Sequence, residues 1–177
     1  MRGRPAEGKV CGVAADVERT GDGRWILAGG RRWRATDPSI PEGFRQELVD
    51  HLMEARRAVG RARTADTVAA ARREVQAAKV ALGERGEPWW ERPTEEGRRA
   101  RIEAAILALA GHRGPDKTIC PSDAARAIGG DSWRSVMPAA QDVARALARV
   151  GEVEVSQKGG VLDPAEPWKG PIRIRRR

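Results

Sequence analysis

Cysteine and histidine are too scarce in this 177-residue chain to organise it. Two cysteines, Cys11 and Cys120, do not make a disulfide framework, and with only His51 and His112 beside them no zinc-ligand spacing can be assembled. Long apolar runs are absent as well: none approaches the roughly 18 residues that would span a bilayer. The amino-terminal stretch MRGRPAEGKVCGVAADVERT has no apolar signal core, which predicts a cytoplasmic protein. No phosphate-binding glycine loop and no pair of catalytic carboxylates stands out, so no cofactor and no metal are expected.

What the chain has is charge, alanine and tryptophan. Its formal net charge of +8 favours polyanionic partners, although the basic and acidic residues divide almost evenly on either side of Trp90, so neither half is a polybasic tail. The length suits two small domains. Residues 1–23 are rich in glycine and charge without apolar periodicity and predict a flexible segment. RWILAGGRRWRA then reads as a β-hairpin turning at Gly29-Gly30. That register pairs Ile26 with Trp33 on one face and puts Trp25, Leu27, Arg32 and Arg34 on the other.

After TDPSIPEG, which offers Pro41 as a first helical position, two helical stripes follow: Phe44, Leu48, Leu52, Ala55 and Val59, then Val68, Ala71, Val75, Ala78 and Leu82. They predict an antiparallel helical pair that completes, with the hairpin, a first domain over residues 24–90. GERGEPWWERPTEEG breaks the periodicity, and residues 91–97 read as a linker. Residues 98–177 form the second domain. Thr94 caps a helix with Ile102, Ile106 and Leu109 on its apolar stripe, and KTIC is a short strand. PSDAARAI is a second helix capped by Ser122 and stopped at Gly129-Gly130. A third, capped by Asp131, buries Val136, Ala140, Val143, Leu147 and Val150. EVEV, the turn QKGG and PIRIRRR supply a terminal hairpin. The fold class is α+β: a small β-hairpin plus a helical pair, then a winged helix-turn-helix.

Several stretches of the second half, CPSDAAR (Cys120 to Arg126), WRSVMP (Trp133 to Pro138), ALARVGEVEVSQKG, Asp163-Pro164 and GPIRIR, resemble a family of bacterial proteins carrying an uncharacterised domain, winged-helix-like in fold. The resemblance covers about Ile102 to Arg175. GGRRWRATDPSIPE, RQELVDHLMEARRAV and VQAAKVALGERGEPWWE make the first half similar to short uncharacterised bacterial proteins. Neither resemblance implies an activity.

The expected function is non-catalytic binding, with double-stranded DNA as the leading partner. The third helix would offer Arg134, Gln141 and Arg145 to base edges, while Lys158 at the wing tip and the terminal Arg176 and Arg177 would meet phosphates. Against this, Asp142 shares the exposed side, and Glu152 and Glu154 can pair across the sheet with Arg173 and Arg175. Arg126 has Asp123 and Asp131 within reach for a surface ion pair. The alternative is a protein partner, held by Trp89 and Trp90 and by the Trp25, Arg32, Arg34 face of the hairpin. An enzyme would have to use His112, Asp116, Cys120 and Ser122. Because Cys120 ends a strand and Ser122 suits a cap, these are read as structural and the protein as no enzyme.

Overall fold

The computed structural model describes residues 18–177, so Cys11 and most of the segment expected to be flexible lie outside the described residues. Two compact units divide between Ala35 and Thr36.

In the first unit, β2 (Trp25–Ala28) and β3 (Arg31–Arg34) form the expected hairpin. Trp25 is opposite Arg34, Ile26 opposite Trp33 and Leu27 opposite Arg32. Gly29 and Gly30, with φ of 57° and 71°, supply the two left-handed residues of the turn. A further strand, β1 (Glu18–Arg19), adds to the free edge of β2. Its two charged residues carry no strand signal. A local bond network fixes it instead: the Asp22 carboxylate accepts from the Arg24 N–H, and the Thr20 N–H donates to the Trp25 carbonyl at 3.0 Å.

The second unit is built around one central helix. α1 (Glu42–Arg61) and α2 (Ala65–Ala81) are the expected pair, and α2 starts at a reciprocal cap between Thr64 and Thr67. Pro41 sits one residue before the first helical position, at the N-cap of α1. Next come α3 (Glu95–Arg113), α4 (Pro121–Gly129) and, after a short 3-10 turn at Gly130–Ser132, α5 (Trp133–Arg149). The chain ends with β4 (Val153–Gln157), β5 (Gly160–Val161) and β6 (Arg173–Arg176), an antiparallel sheet in the order β5-β4-β6. On the other side of β6, Ile119 exchanges both backbone hydrogen bonds with Ile174 at 2.8 Å, so KTIC contributes a single bridge.

From Ala104 to Ala110 α3 is apolar on every side, and Ile102, Ala105, Ile106, Ala108, Leu109 and Ala110 are all fully buried. Leu48, Leu52, Ala78 and Leu82 from the helical pair share one core with Ala124, Ala140, Val155 and Ile174 from the later elements. The division expected at residues 91–97 therefore falls inside a single packed unit. α2 closes on Gly83, φ 76°, whose N–H bonds to the Val80 carbonyl while Glu84 N–H bonds to that of Lys79. Arg101 of α3 then reaches back to the Ala81 carbonyl and pairs with buried Asp37 at 2.7 Å. A stretch rich in Gly and Pro reads as a linker, but these bonds make it a fixed corner.

Three local expectations are corrected. Cys120, not Ser122, holds the N-cap of α4, where its N–H donates to Asp123 at 3.0 Å. Asp131 belongs to the 3-10 turn and caps nothing, and the N-cap of α5 is Ser132. Val150 lies just past the end of α5 and is 73% exposed.

Candidate nucleic-acid interface

α5 presents Arg134, Pro138, Gln141 and Arg145 along one stripe at helical spacing, opposite its buried Val136, Ala140, Val143 and Leu147. Pro138 cannot donate to the Arg134 carbonyl, a defect tolerated because this side of the helix is exposed. The stripe is not uniformly open. The Arg145 guanidinium lies 4.4 Å from the Trp168 ring centroid and donates to the Glu166 carbonyl at 2.7 Å, while Trp168 Nε1 donates to the Asp163 carbonyl. From the other side, Gln157 of β4 donates to the carbonyls of Lys169 and Pro171. The β5–β6 connection is thus tied against the carboxy-terminal half of α5, and the amino-terminal half stays open.

At the tip of the β4–β5 hairpin, Lys158 adopts φ 50° beside Gly159 at 84°, and its side chain is exposed. Gln141 is exposed too. Exposed Asp142 makes no ion pair among the described residues, a negative charge on the same helix.

The terminal arginines are engaged within the chain. Arg176 pairs with Glu74 of α2 at 3.0 Å and lies 2.9 Å from Glu152. Glu74 in turn accepts from His51 Nε2 at 3.1 Å, and since a carboxylate only accepts, that nitrogen carries the proton. The His51 bond first, then the positive Arg176, hold the Glu74 carboxyl below its ordinary pKa against the opposing effect of burial. Arg175 pairs with Glu154 directly across the sheet, as the strand register predicts, and Arg177 approaches the same carboxylate at 3.8 Å. Arg173 faces no carboxylate partner. Asp123 is taken by Arg113, which also grips Glu47 of α1 through two nitrogens; these pairs, with Glu47 first, raise the Arg113 pKa despite burial.

Arg126, the motif arginine expected in a surface ion pair, instead lies 4.6 Å from the Trp133 ring centroid, and Arg134 lies at the same distance from that ring. The sequence offers Trp133, at the start of α5, either to pack on α4 or to face a partner, with packing favoured, and gives no arginine stack on it. The signal for the stack is its spacing: Arg134 adjoins it, and Arg126 is in the last turn of the helix that the glycine corner folds back.

The other candidate residues fall elsewhere. Trp89 and Trp90 are half-buried and meet edge to face, centroids 5.1 Å apart. Trp89 lines a cleft of about 470 Å³ with Pro88, Pro93, Arg98, Ile128 and Val136. In the first unit, Arg32 lies 4.3 Å from the Trp25 centroid, on the face it shares with Arg34. His112 and Asp116 border a shallow depression with Glu47, Arg113, Lys117 and Thr118; Cys120 and Ser122 are not part of it, and no hydrogen bond joins His112 to either. Among the described residues, no three His, Cys, Asp or Glu side chains gather as metal ligands, and no helix is long and apolar enough to cross a membrane.

Residues 99–177 match the model of a family described as "Protein of unknown function (DUF3253)". The matched stretch takes in most of α3 and all of α4, α5 and β4 to β6, the region where the sequence resembles an uncharacterised family. No curated protein matches the chain.

Proposed function

We propose that α3, α4, α5 and the terminal sheet form a winged helix that binds double-stranded DNA, with the amino-terminal half of α5 in the major groove and the β4–β5 tip as the wing. The observation that carries this reading is the distribution of uncommitted polar side chains. Arg134, Gln141 and Lys158 lack carboxylate partners, and recognition helices work through their first residues. Gln141 can make paired hydrogen bonds to a base edge, worth about 1–3 kcal/mol of discrimination, and Arg134 and Lys158 supply charge for the phosphates. Arg145 and Arg176 are held by partners within the chain and leave the direct contacts, whereas exposed Arg177 stays available to a phosphate. The protein acts by binding and carries out no catalysis.

A salt-titrated binding assay on random duplex tests the proposal. Binding should be detectable at low salt, weaken steeply as salt rises, and fall further in Arg134→Ala with Lys158→Ala. Absence of binding at low salt, or binding indifferent to the double substitution, defeats it.

A protein partner is the second reading, favoured by the cleft beside Trp89, whose wall is largely apolar. Trp89→Ser would abolish capture of such a partner and leave duplex binding unchanged.

A further inference from the structure

We infer that Trp133 is the mount for a two-arginine phosphate clamp, with Arg126 and Arg134 as the paired donors and a DNA phosphodiester as the ligand. This deepens the DNA-binding reading and rests on it for the source of the phosphate.

The inference starts from a charge that goes unanswered. Of the arginines near the sheet and α3, Arg173 has no carboxylate partner among the described residues, whereas Arg113 pairs with Glu47 and Asp123, Arg175 with Glu154 and Arg176 with Glu74. Arg126 and Arg134 do not, although exposed Asp131 lies between them in sequence. Both stack on one indole instead. A ring engages the flat face of a guanidinium and leaves its N–H edge free, and that edge is the fork that fits two phosphate oxygens. Each charge lies 4.6 Å from the same centroid, so the two cannot be separated by more than twice that distance. The stacks bias both guanidinium groups toward this place before any ligand arrives, which removes part of the ordering cost that a free arginine meets on binding.

The corner that brings them together is itself rigid. Gly129 packs so tightly that an added Cβ would lie 2.7 Å from Val136 Cγ2, and the Gly130 position is 3.3 Å from the Ser39 carbonyl oxygen. The end of α4 and the start of α5 thus meet closely at this corner, with Trp133 at the first position of α5. Trp133 is half-buried and rests on the core, so its ring is an anchored platform. The clamp adjoins Gln141 and the open half of α5, where a groove-bound helix has the phosphate backbone beside it.

The test uses the full chain with nitrogen-labelled arginine side chains, titrated with a short random duplex and, separately, with inorganic pyrophosphate. Arg126→Gln and Arg134→Gln assign the resonances and enter the salt titration. Each should reduce the slope of log affinity against log salt by part of the share of one phosphate, and the two together by about 0.9, the whole of it. Trp133→Phe should keep most of the affinity and Trp133→Leu lose several-fold, both with the wild-type slope, because the mount sets position and not charge. Duplex binding with an unchanged slope in Arg126→Gln overturns the clamp and leaves the DNA reading intact. If the duplex does not bind, the DNA reading fails, and the pyrophosphate arm judges the clamp. Joint shifts of Arg126 and Arg134 keep it as a phosphate site with another source, whereas static resonances overturn it.

Discussion

Gly111→Ala and Gly60→Ala make the same chemical change in two helices and should move stability in opposite directions. In a helix interior, Ala is favoured over Gly by about 1 kcal/mol because it loses less backbone freedom on folding. At Gly60 in α1 nothing lies within 4 Å of the added Cβ, so the full gain, up to about 1 kcal/mol, should appear. At Gly111 in α3 the new methyl would lie 2.8 Å from His51 Cε1 and 3.3 Å from Nε2. His51 is only 7% exposed, so its ring can move only against the side chains around it. Moving it breaks the 3.1 Å bond to Glu74, which positions Arg176 of β6. Overpacking of this kind costs about 1–3 kcal/mol. Losing a hydrogen bond to a charged group adds about 1.5–3 kcal/mol, only partly additive. Against the helix gain of about 1 kcal/mol, Gly111→Ala should lose about 1–3 kcal/mol net. Urea denaturation measures both variants, with midpoints shifting and slopes constant. His51→Ala placed beside Gly111→Ala should recover part of the loss, since the clash partner is gone. A Gly111→Ala protein as stable as Gly60→Ala would refute the reasoning and with it the claim that the His51 ring is locked.

Three other outcomes follow from the same geometry. Asp37→Ala should destabilise by about 2–4 kcal/mol in the same assay, because it leaves half-buried Arg101 without its carboxylate and frees the turn held through Ser39. Glu74 has a folded pKa below its ordinary value near 4.5, so its contribution is complete above that value and is lost as pH falls through the folded pKa. Glu74→Gln should flatten that acid-side decline in a pH series of denaturation midpoints; an unchanged decline would place the linkage elsewhere. Arg145→Ala should release the connection carrying Trp168, read as faster amide exchange there, and reduce duplex affinity less than Arg134→Ala does.

Periodicity made the helices, the turn register and the alternation of Ile172 and Ile174 legible in the sequence, because each depends on neighbours a few residues away. The hairpin pairing of Ile26 with Trp33 and the cross-strand Glu154–Arg175 pair belong to that group. The long-range ties were not legible. Arg101 to Asp37 spans 64 positions and Arg176 to Glu74 spans 102, and no local pattern marks which of 33 basic residues will find which carboxylate. Those ties decide the candidate site, because they remove Arg176 from the surface and leave Arg126 on it. The single core was partly visible: IEAAILALAG places small or apolar residues on every side of a helix, the composition of a helix covered all round and not of one with an outer face.

That covering has a consequence for how the chain can be divided. The family match begins at residue 99, inside α3, and leaves out α1 and α2. A fragment cut to the match would keep the bridge, the sheet and α5 but bare the side of α3 on which Leu48, Leu52, Ala78 and Leu82 now pack. Such a fragment should self-associate or need another cover. The matched stretch of sequence and the packed core are therefore of different extent, with the helical pair acting as the lid of a box whose other walls are the matched region.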